Sequence, residues 1–461
     1  MRSSFYLGIS GGLLAVAGGL AAAYYVMGSD AKAATTTVAK HAEPGSGAAS
    51  AVAPIDPQLA QKIGERLGRT VTIHADKIDV PMRWTDLGAV IDQDDLPYAS
   101  KRASGGDPVQ ALVTAGALPV RIDRDAALAA LTKLKGTLDR SPTDARMDLE
   151  ARTIRDDEPG RGLDVYASLA ALEAGARAGA DDVTLQMVPI PARVTRQTLG
   201  IDDISHVMGT WHTQFSVSDK DRNFNLKLAA SKLNGHVIPP HGAFSFNDTV
   251  GARTEHEGYK IAHVIQAGEM VDGLAGGTCQ ISTTLFGASF FAGLQIDHVS
   301  NHSRPSAYQP IGFDATVVWP DTDLKMTNPY DFPVVIHYVV ASGEARVEIL
   351  GKERPWDKVV FEREILEETP FEEGDVRMDD ALPLGYEMID QPGFDGYKLK
   401  RWRRFYKAGK LVKSEHWDVN YKPVTEFKRQ GTNTDPNVKT PEPKEIHGPK
   451  VPTSSNGTIV Q

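Results

Sequence analysis

Hydrophobic and polar positions alternate with several periods along this chain, and each change of period marks a part. The first part has no period. From Phe5 to Met27 no residue carries a charge, and Arg2 stands before the run. About 20 apolar residues span a bilayer as a helix, and glycine and alanine are tolerated in such helices. Residues 1–28 therefore predict a transmembrane anchor, with Arg2 favouring an inside N-terminus and the rest of the chain outside. A cleavable signal peptide is the alternative, with Ala31-Lys32-Ala33 as a small-x-small site. The run is longer than the usual apolar region of about 7–15 residues, which favours the anchor. Both readings export the chain.

Residues 29–69 are rich in Ala, Thr, Gly, Ser and Pro, as in AEPGSGAASAVAP, which predicts a flexible linker. Residues 70–200 predict a small α+β domain. VTIHADKIDVPMRW alternates like a half-buried strand. DRDAALAALTKLKGTL adds an Asp cap and apolar residues at helical spacing. DVYASLAALEAGARAGA repeats the helical pattern, and DDVTLQMVPIPARV ends as a strand bounded by prolines. Nothing in this unit stands out as catalytic.

Residues 205–345 differ in texture. Nine of the thirteen histidines fall between 205 and 340, with the single cysteine and many glycines and aromatics. NGHVIPPHGAFSFNDTVGARTEHEGY is a succession of turn-forming residues suited to loops around a site. In AGGTCQISTTLFGASFFAGLQI, the spacing of Leu285, Phe286, Ser289 and Gly293 predicts a helix with Cys279 near its start. Residues 346–432 return to β-like alternation, and KAG within RRFYKAGKLVK reads as a hairpin turn. Residues 433–461, poor in hydrophobics, predict a disordered tail. The whole reads as a multidomain α+β chain: an N-terminal membrane helix, a small α+β domain, a central mixed domain and a C-terminal β module.

Composition narrows the function. At 461 residues, 41% hydrophobic and 24% charged, this is a chain of globular domains with more than one core. A net charge of −10 with no concentrated basic face excludes nucleic acid as an expected partner. One cysteine forms no internal disulfide, so its thiol invites a chemical reading.

A thiol at a helix start feels the dipole and unpaired backbone N–H groups, which lower its pKa and can hold an oxyanion. Gly276 and Gly277 let the backbone turn tightly before Cys279 or approach a ligand, and are candidate substrate-binding positions. A base is also needed. HVSNHSRPSAYQPIGFDATV offers His298 and His302, with Asp314 to orient an imidazole. Gln280, Ser282 and Thr283 are candidate hydrogen-bond donors to a substrate, and Arg304 a candidate grip on its carboxylate. His298 and His302 stand four apart, but Pro305 disfavours a helix there and no zinc motif results. No metal or cofactor is expected. The competing reading of Cys279 is a small buried hydrophobe.

Residues 222–340 resemble a VanW domain. RNFNLKLAASKLNG, PPHGAFSFNDTVG, EGYKIAHVI, GGTCQISTTL and HSRPSAYQPIGFDATV follow in that family's order and spacing. Ala275 stands where the family usually has the first of three glycines, and Ser300 where it often has a further histidine. The resemblance therefore implies His302 rather than His298 as the base. Residues 70–200 resemble a type-four peptidoglycan-binding domain, through a strand, a helix, RDDEPGRGLDV, a helix and a strand. Residues 353–432 resemble a G-five module. The VanW resemblance implies a cysteine-dependent L,D-transpeptidase acting on peptidoglycan stem peptides. Its thiol would form a thioester with the L-centre of a tetrapeptide stem, expel the terminal D-Ala, and pass the acyl group to an amine as a 3–3 cross-link.

Two alternatives stay open at this level. One is a non-catalytic, membrane-anchored wall-binding or glycopeptide-resistance accessory protein, in which Cys279 is structural. The other is a cysteine carboxypeptidase or endopeptidase of peptidoglycan, in which water replaces the acceptor amine.

Overall fold

Capping aspartates start the helices of the N-terminal part. The computed structural model describes residues 56–102, 106–266, 269–441 and 456–461. Asp56 accepts from the Gln58 N–H at 2.9 Å and starts Pro57–Leu67, a helix lying within the stretch expected to be linker. Its Leu59, Ile63 and Leu67, at i, i+4 spacing, are buried. Asp123 and Asp164 cap Arg124–Leu138 and Val165–Ala178 in the same way. VTIHADKIDVPMRW forms two strands rather than one. Thr70–Ala75 and Ile78–Arg83 pair antiparallel about a turn in which Asp76 has φ 56°. Asp182–Thr184 joins the first of them in parallel. One core, including Ile63, Ile73, Leu131 and Leu172, unites these pieces.

The second core surrounds the helix Thr278–Ala292, in which every residue except Cys279 is buried. Such a helix has no polar face, because protein encloses it on all sides. Glycines allow the close approach: a Cβ on Gly209 would stand 2.3 Å from the Ala292 nitrogen, and one on Gly287 2.4 Å from Trp211 Cγ. Phe286, Phe290 and Phe291 interlock with Phe313 at centroid distances of 5.3, 5.0 and 5.8 Å. Gly209 and Trp211 belong to an antiparallel sheet in the order His206–Gln214, Glu344–Gly351, Val334–Ala341, Val237–Ile238.

A C-terminal sheet, in the order Lys410–Tyr421, Gly396–Lys407, Lys358–Thr369, Asn456–Val460, packs against the end of this helix. The hairpin turn falls at Ala408 and Gly409, both with positive φ (49° and 73°), the signature of a type I′ turn. Asn456–Val460 lies where a disordered tail was expected; its Ile459 packs on the core, which gives this short segment a reason to pair. Arg403, 0% exposed, donates to the Phe290 and Leu294 carbonyls at 3.1 and 2.9 Å. It thereby satisfies carbonyls at the helix C-terminus, and Glu415 at 2.7 Å balances its charge.

The described fold is mixed α+β and multidomain and contains no membrane helix, against the expectation of one at the N-terminus. Among the described residues no helix is long and apolar enough to cross a membrane. The longest have 15 residues, about 22 Å at the α-helical rise, against a hydrocarbon core of ~30 Å. The run Phe5–Met27, on which that expectation rested, lies outside the described residues.

Candidate active site

Three residues shape the entry to the buried helix. Ala275 has φ 61° and Gly277 φ 102°, and a Cβ on Gly276 would stand 2.6 Å from the His263 carbonyl. The turn thus favours glycine at all three positions, and Ala275 carries the strain a glycine would not. Gly277 caps the helix without a side-chain bond, and Cys279 stands in its first turn, the place the sequence pattern predicted. The positive end of the helix dipole lies at that turn.

Cys279 is half-buried. Its Sγ lies 3.4 Å from the Val317 carbonyl oxygen, and the nearby His302 acts on it electrostatically. His302 Nδ1 lies 2.6 Å from Asp314 Oδ2, and the His302 backbone N–H donates to the same oxygen at 2.8 Å. With Nδ1 on the carboxylate, Nε2 is the ring nitrogen left for the thiol. The other Asp314 oxygen accepts from the Tyr421 phenol, which itself accepts from the Gly312 N–H at 3.0 Å. Among the described residues no three His, Cys, Asp or Glu side chains group as metal ligands.

The electrostatics follow from these contacts. Burial pushes the Cys279 thiol up, but the action of His302 outweighs it and holds the thiol below its ordinary value. Burial also opposes a charged His302; Tyr308, the Asp314 hydrogen bond and the thiol outweigh it, so His302 is raised well above the usual histidine range. Asp314, though buried, is held low by His302 and Tyr421. These directions together favour a thiolate–imidazolium pair oriented by a carboxylate.

The other sequence candidates fall elsewhere. His298 is exposed on the strand Gln295–His298, with Nε2 3.5 Å from Ser300 Oγ, so it is His302 that the fold brings to the thiol. Ser282, 0% exposed, donates to the Ala315 carbonyl at 2.6 Å. Thr283 bonds the same carbonyl at 3.2 Å and accepts from the Ala315 N–H at 3.0 Å. Gln280 donates to Thr213 Oγ1 and the Gln214 carbonyl at 3.0 and 2.9 Å, and accepts from Arg222 at 2.6 Å. These three brace the interior rather than face a substrate, because the helix that carries them is enclosed. Arg304, 4% exposed, stacks on Phe394 at 4.0 Å, and burial lowers its guanidinium to about 10. Among the described residues no hydrogen bond or ion pair joins Arg304 to Cys279. Sequence reasoning missed Tyr308, whose ring meets that of His302 edge-on at a centroid distance of 6.5 Å, and two residues from elsewhere in the fold. Tyr421 sits 107 positions beyond Asp314, and only its inward place in the strand alternation hinted at a role. Arg253, in the loop after FNDTVG, exerts its charge on Cys279.

Cys279, His302 and Asp314 lie within residues 221–350, which match the family described as "VanW like protein". The chain carries a VanW-like domain. Ahead of it, residues 102–184 match the family described as "Putative peptidoglycan binding domain". The two matches give the chain a VanW-like domain preceded by a stretch similar to putative peptidoglycan-binding domains. Uncharacterized protein YoaR of Bacillus subtilis is 44% identical over 129 residues, which is 28% of this chain and 43% of that protein. Vancomycin B-type resistance protein VanW of Enterococcus faecalis is 33% identical over 120 residues, 25% of this chain and 44% of that one. The matches thus span less than half the length of either relative. Among solved structures, the IgA1 protease G5 domain is similar over 16% of this chain and 90% of its own, at 21% identity and a TM-score of 0.12, too slight a likeness to argue from. The VanW-like domain holds Cys279, His302 and Asp314, whereas Tyr421 lies beyond it.

Proposed function

We propose that this chain is an extracytoplasmic peptidoglycan L,D-transpeptidase with Cys279 as its nucleophile. The observation that carries the reading is Cys279 in the first turn of a buried helix, acted on by a His302 whose Nδ1 lies 2.6 Å from Asp314. A thiolate beside an imidazolium, at the positive end of a helix, suits acyl transfer. The putative peptidoglycan-binding unit would hold the wall near the site.

In this reading His302 Nε2 holds the thiol proton, and Asp314 fixes the ring through Nδ1. The thiolate attacks the carbonyl at the L-centre of a tetrapeptide stem, and the Cys279 backbone N–H, with the helix dipole, stabilises the oxyanion. The C–N bond to the terminal D-Ala breaks, and the departing amine takes the proton from His302. Cys279 now carries the acyl group as a thioester. An amine of a second stem attacks it and gives its proton to His302, the C–S bond breaks, and an amide remains as the 3–3 cross-link.

The test is product analysis after incubation with muropeptides bearing tetrapeptide stems. The expected products are free D-Ala and 3–3 dimers, both absent with Cys279→Ala. Free D-Ala with tripeptide monomers alone would make the chain a carboxypeptidase. The same dimers from Cys279→Ala would remove the nucleophile from the reading.

A further inference from the structure

Buried donors without acceptors are rare in folded proteins and call for an explanation. Two such side chains lie on the loop that follows Gly251. Arg253 Nε and Nη1 and Tyr259 Oη are buried and lack hydrogen-bond partners. Tyr259 is 2% exposed, and its backbone N–H is tied to the Thr254 carbonyl at 3.1 Å. The two groups act on one another electrostatically: burial raises the Tyr259 phenol to about 12, and the Arg253 charge works against that rise.

Arg253 is connected to the thiol by a short series of contacts. Its Nη2 donates to Asn247 Oδ1 at 2.7 Å, and the guanidinium lies 5.3 Å from the Phe246 ring centroid. Asn247 Nδ2 reaches the Val318 carbonyl at 3.4 Å and the Thr322 carbonyl at 3.0 Å. The neighbouring Val317 carbonyl is the one 3.4 Å from Cys279 Sγ. Among the described residues no carboxylate pairs with Arg253. Asp323, which acts on it from a distance, has its oxygens engaged by Ser245, Asn247 and Leu324. A partly buried cation with unfilled donors beside a nucleophile has the chemistry of a carboxylate site.

We propose that Arg253, aided by Tyr259, binds the free C-terminal carboxylate of the acyl donor, the group on the residue that leaves. The site takes the role that Arg304 was expected to fill. This inference deepens the transpeptidase reading and rests on it for the identity of the donor.

The test measures binding in the full chain carrying Cys279→Ala, so that turnover does not intervene. The probes are the synthetic tetrapeptide stems ending in D-Ala, in lysine and diaminopimelate forms, and the same peptides as C-terminal amides. Calorimetry should show the acid binding about tenfold tighter than the amide or better. Adding Arg253→Gln should erase that preference, Arg253→Lys should keep part of it, and Tyr259→Phe should narrow it. Thermal melts of each variant identify any that fail to fold, and Arg253→Lys then carries the comparison. Equal binding of acid and amide by the Cys279→Ala protein, no binding of either, or a preference that survives Arg253→Gln would overturn the site. An Arg253-dependent preference in the Cys279→Ala protein, with no products from the unsubstituted chain, would overturn the transpeptidase reading and leave the site standing. Cross-linking that is indifferent to amidation would do the reverse.

Discussion

Tyr421 donates a hydrogen bond to the carboxylate of Asp314, 107 positions earlier in the chain. This bond joins the C-terminal sheet to the VanW-like domain, and others run beside it. Arg401 donates to the Gly312 carbonyl and Arg363 to the Ile311 carbonyl, each at 2.8 Å. Asn301 Nδ2 donates to the Asn420 carbonyl at 2.9 Å. The loop that carries His302 and Asp314 is thus held near both ends by strands outside the family match.

Tyr421→Phe keeps the ring and removes this bond to a buried carboxylate, an interaction of about 1.5–3 kcal/mol. Loss of orientation at His302 should lower kcat by about tenfold or more, with KM little changed. The thiol's alkylation transition should move to higher pH. Steady-state kinetics and alkylation rates check this, and a variant unchanged in both would reduce Tyr421 to packing.

The sequence disclosed the local features and concealed the long-range ones. The capped helices at Asp123 and Asp164, the turn at Ala408-Gly409 and the helix start at Cys279 follow from residues close in the chain. The choice of His302 came from motif register, since nothing in local spacing chooses between His298 and His302. Burial was the blind spot. Gln280, Ser282 and Thr283 look like donors for a substrate in sequence, yet enclosure of their helix turns them to interior partners. Tyr421 and Arg253 reach the site only through tertiary packing, which no periodicity encodes.

His302→Ala should reduce turnover by about 10²–10⁴-fold, the range for a general acid–base. His298→Ala, a change on an exposed strand, should leave it within a factor of about two, the small effect usual for surface substitutions. Parallel kinetics of the two variants decide the matter, and the opposite ranking would place the base elsewhere.

The pH dependence follows from the two shifts. The thiol is held low, so Sγ loses its proton below the ordinary value of about 8.5. His302 is raised, so it keeps its proton above the usual histidine range. Between these transitions the ion pair dominates. Falling pH through the thiol's transition should slow iodoacetamide labelling, while rising pH through the His302 transition should remove the imidazolium and the proton needed by the leaving amine. With one cysteine in the chain, label reports Cys279 alone. A rate that climbs only above about 8.5 would show an ordinary thiol.

Ser282→Ala leaves the Ala315 carbonyl without its 2.6 Å donor. Thr283 still donates to that carbonyl at 3.2 Å, so the expected loss is about 0.5–1.5 kcal/mol of stability, visible as a lower Tm. Binding of the tetrapeptide to the folded variant should stay unchanged. Weakened binding at full stability would return Ser282 to the substrate.

The most direct measurement is the intact mass of the protein after incubation with a tetrapeptide donor and no acceptor amine. A covalent adduct of the donor less its terminal D-Ala, located on Cys279 by peptide mapping and absent from Cys279→Ala, is the predicted result. An unmodified Cys279 in protein that still turns the donor over would contradict it.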